Sequence, residues 1–97
     1  MNYQLHPQAA LELEEQVIYY EKCALGLGAR YNIEFRKTAK QICLKPTRFK
    51  YLKKPDIRQA AIIGFPYFIV FRVLNGGIQI LAVAHYRRRP NYWSERE

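Results

Sequence analysis

Ninety-seven residues with 49% hydrophobic content suit one domain with one core, and are too apolar for a disordered chain. The formal charge of +8 is unevenly placed: residues 1–35 carry two basic groups against five glutamates, a net of −3, while residues 36–97 carry fourteen basic groups against three acids, a net of +11. Such a basic half attracts polyanions, whether nucleic acid, a ribosome or an acidic protein, and charge alone does not choose among them.

Asn2 to Leu5 is a short candidate strand, and Pro7 then sits where a helix tolerates proline, in its first turn. Ala10, Leu13, Val17, Tyr20 and Ala24 recur at helical spacing, with Glu12, Glu14, Glu15 and Glu21 mostly off that face. Three of these glutamates fall near the helix N-terminal half, where the macrodipole favours negative charge. Gly26 and Gly28 stop this helix. A second helix presents Tyr31, Phe35, Thr38 and Ile42 on one face, with Leu27 and Ala39 beside them. Arg36, Lys37 and Lys40 lie toward solvent, and Pro46 ends the helix. The two make a helical hairpin.

Residues 47–56 read as a basic loop with a short extended piece, carrying Arg48, Lys50, Lys53 and Lys54. Three strands follow: Ile57 to Ile63, Tyr67 to Leu74 and Ile78 to Ala84, the last two joined by Asn75-Gly76-Gly77, a hairpin signal. The middle strand is apolar on both faces, as a central, covered strand is. Arg72 within it reads as structural, either reaching the sheet edge or pairing with a carboxylate. The predicted fold is α+β: an N-terminal strand, a helical hairpin and a three-stranded antiparallel meander, with the helices on one face. Residues 1–97 form one domain in this reading, and Ser94 to Glu97 either fray or make a short helical turn.

No apolar run approaches the roughly 20 residues of a membrane helix. The start, MNYQLHPQ, lacks the basic and apolar parts of a signal peptide, so a cytoplasmic chain is expected. Cys23 and Cys43 have no metal or redox spacing, which predicts buried free thiols in a reducing compartment. Paired carboxylates near the basic end, a phosphate-binding glycine loop and a zinc-type His/Cys cluster are all missing, and the only serine is Ser94 in the tail. No cofactor or metal is expected.

His85 is the one candidate for proton transfer, against the blander reading of a strand-end histidine bonded to nearby backbone. Arg87, Arg88 and Arg89 follow it at the strand exit, suited to clamp phosphates or carboxylates. Tyr86, Tyr92 and Trp93 would either stack on bases or cap the core.

The strand order, the segments FPYFIVFRV and AVAHYRRRPNYW, and HPQAALELEEQVIYYEK near the start resemble the RelE/ParE superfamily of type II toxins, most of all its ParE branch. The likeness covers nearly the whole chain. It implies a growth-arresting toxin of the plasmid-stabilisation kind, neutralised by a cognate antitoxin whose acidic or amphipathic tail wraps it. ParE-type toxins poison DNA gyrase by binding, which makes Arg87, Arg88, Arg89, Tyr92 and Trp93 the implied target- or partner-binding set. RelE-type relatives cut messenger RNA on the ribosome, and there His85, Arg87 and Tyr92 would be the implied catalytic set. The arginine that the RelE mechanism places after the turn into the middle strand is missing at Pro66-Tyr67-Phe68-Ile69. Only Arg58 matches the basic residues of the preceding strand.

Overall fold

The computed structural model of the chain describes all residues from Met1 to Glu97. Strand β1 (Tyr3–Leu5) leads into helices α1 (Pro7–Cys23) and α2 (Leu27–Leu44) and a 3-10 turn at Pro46–Arg48. Strands β2 (Tyr51–Lys53), β3 (Ile57–Ala61), β4 (Tyr67–Leu74) and β5 (Gly77–His85) follow, and a second 3-10 turn spans Ser94–Arg96.

Pro7 is the first residue of α1, and His6 caps that helix by accepting the Gln8 N–H on Nδ1. The buried stripe runs through Ala9, Leu13, Val17 and Tyr20, so Ala9 takes the place that spacing assigned to Ala10, which is exposed. The two glycines act at the start of α2 rather than as a stop for α1. Gly26 caps α2 with φ of 84°, and Gly28 lies inside it, where a Cβ would fall 2.5 Å from the Val17 carbonyl oxygen. Glu21 reaches across from α1 to accept the N–H groups of Gly26 and Gly28 at 2.8 and 3.0 Å. This satisfies two of the donors that a helix start leaves open. On α2 the expected face is the buried one: Tyr31, Phe35, Thr38 and Ile42, with Ala39.

The sheet order is β1-β5-β4-β3-β2. The predicted antiparallel meander is present as β3-β4-β5, and two strands extend it to a five-stranded mixed sheet. β1 pairs parallel with β5, Tyr3 opposite Ile78 and Leu5 opposite Ile80, because the helical hairpin returns the chain to the same end of the sheet. β2 forms within the segment read as a basic loop and pairs antiparallel with β3 at the other edge. Exposed Lys53 within it, and Lys50 and Lys54 on either side, discourage pairing with a further chain. No helix is long and apolar enough to cross a membrane.

The sheet has two apolar faces. The helical hairpin covers Ala60, Ile62, Ile69, Phe71, Ile78, Ile80 and Val83. The opposite face, Ile57, Val70, Leu81 and Ala82 with Leu52 and Phe68, is covered by the C-terminal segment through Trp93 and Tyr92. Of the two expectations for the tail, the helical turn is the one formed. Both cysteines are free but neither is buried: Cys23 is exposed and Cys43 half-buried, correcting the expectation of two core thiols.

Candidate functional site

The placement of His85 follows from an irregularity in β5. Up to Ile80 the strand alternates regularly, with Ile78 and Ile80 under the helices. The register then shifts, so that Phe71 faces Ile80 while Val70 faces Ala82. Leu81 is the extra residue of a β-bulge, and Leu81 and Ala82 both pack on the far face. Val83 therefore returns to the helix side, and so does His85, two residues on. The histidine ring meets the Tyr67 ring edge-on at 5.1 Å and stacks with the Tyr86 ring at 5.0 Å. A cavity of about 340 Å³ lies against it, walled by Tyr19, Tyr20, Cys23, Leu27, Pro66 and Tyr67. Burial pushes the Tyr20 phenol up to about 12 and raises that of Tyr67 as well, so these two hydroxyls stay protonated into the alkaline range.

His85 Nδ1 accepts the Arg87 backbone N–H at 3.1 Å. That is the backbone-bonded strand-end histidine of the blander reading. No carboxylate pairs with the ring, since the three ion pairs of the molecule are Lys37–Glu34, Lys53–Glu97 and Arg96–Glu12. The ring is thus oriented by a backbone N–H and not by a carboxylate.

Arg87, Arg88 and Arg89 leave the strand as an exposed arm, and none of the three is in an ion pair. Arg88 lies 3.9 Å over the Tyr92 ring, and Arg87 lies 5.8 Å over Tyr86. Arg88 also borders a polar cleft of about 320 Å³ with Glu12, Glu15, Gln16, Tyr19 and Tyr67. Tyr92 donates its hydroxyl proton to Glu12 at 2.8 Å; burial, then the contact with Glu12, raises its pKa, making it a poor proton donor to any substrate. Trp93 is 2% exposed and lies in the far-face core, so of its two sequence readings the structure favours the core cap over a stacking platform. The set His85, Arg87, Tyr92 is thus not gathered in one cavity: the slot at His85 excludes Tyr92, whose hydroxyl is spoken for.

The residue that spacing did not single out is Glu12. It accepts from the Val83 N–H at 3.1 Å, from Tyr92, and from both terminal nitrogens of Arg96 at 2.9 and 3.0 Å. Arg96 also donates to the Leu81 carbonyl at 3.0 Å, and Gln16 donates to the Val83 carbonyl at 2.8 Å. Side chains therefore complete the edge of β5 beyond the end of β1. No periodic signal marks this role; Glu12 reads as one more charge on an acidic helix.

A second concave surface lies between α2 and the first 3-10 turn. Its cavity of about 420 Å³ is walled by Lys40, Gln41, Arg48, Phe49 and Ile63 and by the Lys37–Glu34 ion pair. Ile63 is 78% exposed and Leu44 70% exposed, while Lys40 and Arg48 have no acidic partner. Arg58 is committed elsewhere: it donates to the Phe49 carbonyl at 2.6 Å and to the Tyr51 hydroxyl at 2.9 Å, so it braces the β2–β3 edge. Arg72 is structural as expected, donating to Gln79 and to the Glu97 main-chain oxygen.

No protein-family model matches the sequence, and no curated protein matches it. Among solved structures, a chain of the "Chromosomal ParDE TA system from P. aeruginosa" superposes with a TM-score of 0.73 over 88% of this chain and 95% of that one, at 19% identity. The chain shares the fold of that chain of the ParDE system.

Proposed function

We propose that this chain is the toxin of a type II toxin–antitoxin pair and that it acts in the cytoplasm by binding DNA gyrase rather than by turnover. The observation that carries the reading is the arm Arg87–Arg89: three exposed arginines without acidic partners, on a strand end fixed by side-chain bonds, beside a histidine that has no carboxylate partner. Such a surface is built to hold a carboxylate- or phosphate-rich target, since arginine binds both bidentately. The likeness to a chain of a ParDE system supports the toxin–antitoxin part of the reading. The groove walled by Lys40, Arg48, Phe49 and Ile63, with the Lys37–Glu34 pair at its side, suits an acidic antitoxin segment with an apolar anchor, since the two unpaired cations lie beside the exposed Ile63.

The test is a supercoiling and cleavage assay of purified gyrase with this chain and with its Arg87→Ala/Arg88→Ala/Arg89→Ala variant. Inhibition by the parent chain and loss of inhibition in the variant support the proposal. Undisturbed gyrase, together with cleavage of messenger RNA on ribosomes that disappears in His85→Ala, would replace it with the ribosome-dependent nuclease reading.

A further inference from the structure

Residues 89–97 make no backbone–backbone hydrogen bond to any residue outside their own segment. Their backbone bonds are short-range turns, Tyr92 to Arg89, Ser94 to Asn91, Arg96 to Trp93 and Glu97 to Ser94, and the segment leaves the strand through one more turn, Arg88 to His85. Strands β4 and β5, by contrast, are joined by a continuous ladder from Tyr67–His85 to Leu74–Gly77. What binds the segment to the body is side-chain contact. Trp93 sits on Ile57, Val70, Leu81 and Ala82; Tyr92 and Arg96 meet Glu12; Arg72 holds the Glu97 main-chain oxygen and Lys53 its carboxylate.

From this arrangement we infer that residues 87–97, beyond the last backbone tie from the Tyr86 N–H to the Pro66 carbonyl, are a strap, latched by Glu12, that opens as a unit from the far face of the sheet while the sheet and helical hairpin stay folded. A segment with few backbone ties to its surroundings belongs to the low-stability end of a structure and opens without the rest. Glu12 is the natural latch because one carboxylate holds the strap at two places, Tyr92 and Arg96, and also holds the β5 edge at Val83. Charge-assisted bonds of this kind are the strong ones, and the site is shielded, with Glu12 and Arg96 side chains each 14% exposed. Opening does two things. It uncovers the apolar floor of Ile57, Val70, Leu81 and Ala82, and it releases Arg88 from the Tyr92 ring, so the arginine arm loses its fixed direction. Glu12 is therefore a positioning residue for Arg87–Arg89. The consequence for a target rests on the binding-poison reading above, whereas the opening itself is a property of the isolated chain.

Trp93 is the only tryptophan in the chain, which makes it a native reporter of the strap. The experiment is hydrogen exchange read separately on peptides from the strap and from β4, with acrylamide quenching of Trp93 alongside, in the parent chain, Glu12→Gln and Arg96→Gln. The expected result is that each variant speeds strap exchange about tenfold or more, as loss of a charge-assisted bond implies. Trp93 quenching then rises and β4 exchange stays at the parent rate. Arg96→Gln breaks the same latch from the strap side, so it decides the matter if Glu12→Gln fails to fold. Strap exchange unchanged in a folded variant would overturn the latch, and strap and β4 speeding up equally would overturn the separate unit. Neither outcome depends on gyrase, so failure here is distinguishable from failure of the functional reading.

Discussion

At the scale of single residues, two positions carry constraints that their neighbours do not. Gly28 is where the two helices touch, and an added methyl would meet the Val17 carbonyl at 2.5 Å and the Glu21 Cβ at 3.0 Å. The contact is with backbone, so no rotamer change relieves it. Gly28→Ala is expected to destabilise the fold by about 1–3 kcal/mol in chemical denaturation, despite alanine's better helix propensity. Tyr31 is fully buried and donates its hydroxyl proton to Gln16, whose amide in turn holds the Val83 carbonyl. Tyr31→Phe leaves the Gln16 oxygen without that donor and is expected to cost about 1–3 kcal/mol by the same measurement. A neutral result would show that water or another donor replaces the phenol.

At the scale of elements, the exposed arm and the buried strand beneath it separate function from stability. Arg87, Arg88 and Arg89 are exposed and unpaired, so their joint replacement by alanine should change stability by less than about 1 kcal/mol. Growth arrest should nevertheless be lost, and thermal melting beside a plating assay separates the two effects. The same scale shows what was legible in the sequence. The α2 face reads correctly because Tyr31, Phe35, Thr38 and Ile42 recur at helical spacing and all are buried. β4 reads correctly to the residue, since Pro66 and Asn75 bound a run that is apolar except at Arg72. The bulge at Leu81 is invisible because IQILAVAH is apolar on both faces, and alternation that never changes character cannot reveal a change of phase. For the same reason nothing in the sequence points His85 to the helix side. The parallel pairing of β1 is equally hidden: three residues carry no direction, which is set only when the hairpin brings them to β5. Glu12 was legible as a charge but not as a hub, because its partners lie 71 to 84 positions away in sequence.

At the scale of the whole molecule, the acidic α1 and the basic C-terminal half meet at the Glu12–Arg96 pair, and the net charge of +8 surrounds the molecule with a positive field. The long-range part of any target encounter should therefore weaken as salt rises. The aromatic interior gives a second bulk property. Tyr31, Tyr92 and Tyr67 have phenol pKa values raised first by burial, and Tyr20 is likewise raised to about 12. The unfolded chain gives up these protons from about pH 10 upward while the folded chain keeps them. The unfolded state thus binds fewer protons in that window, and stability, fully present below about pH 10, falls as the pH climbs toward 12 and beyond. Denaturation followed against pH, with tyrosinate absorbance recorded in parallel, should show unfolding and phenol ionisation together. Phenols that ionise at about pH 10 with the fold intact would contradict the packing described.

The central proposal is that this chain is a toxin whose arginine arm is directed at gyrase. It is tested most directly by expressing the chain from a tightly controlled promoter without antitoxin while DNA and protein synthesis are followed with separate labelled precursors. The account predicts that DNA synthesis fails first, with a DNA-damage response, and that the triple arginine variant leaves both syntheses running. Translation failing first, with cleaved messenger RNA and intact replication, would contradict it.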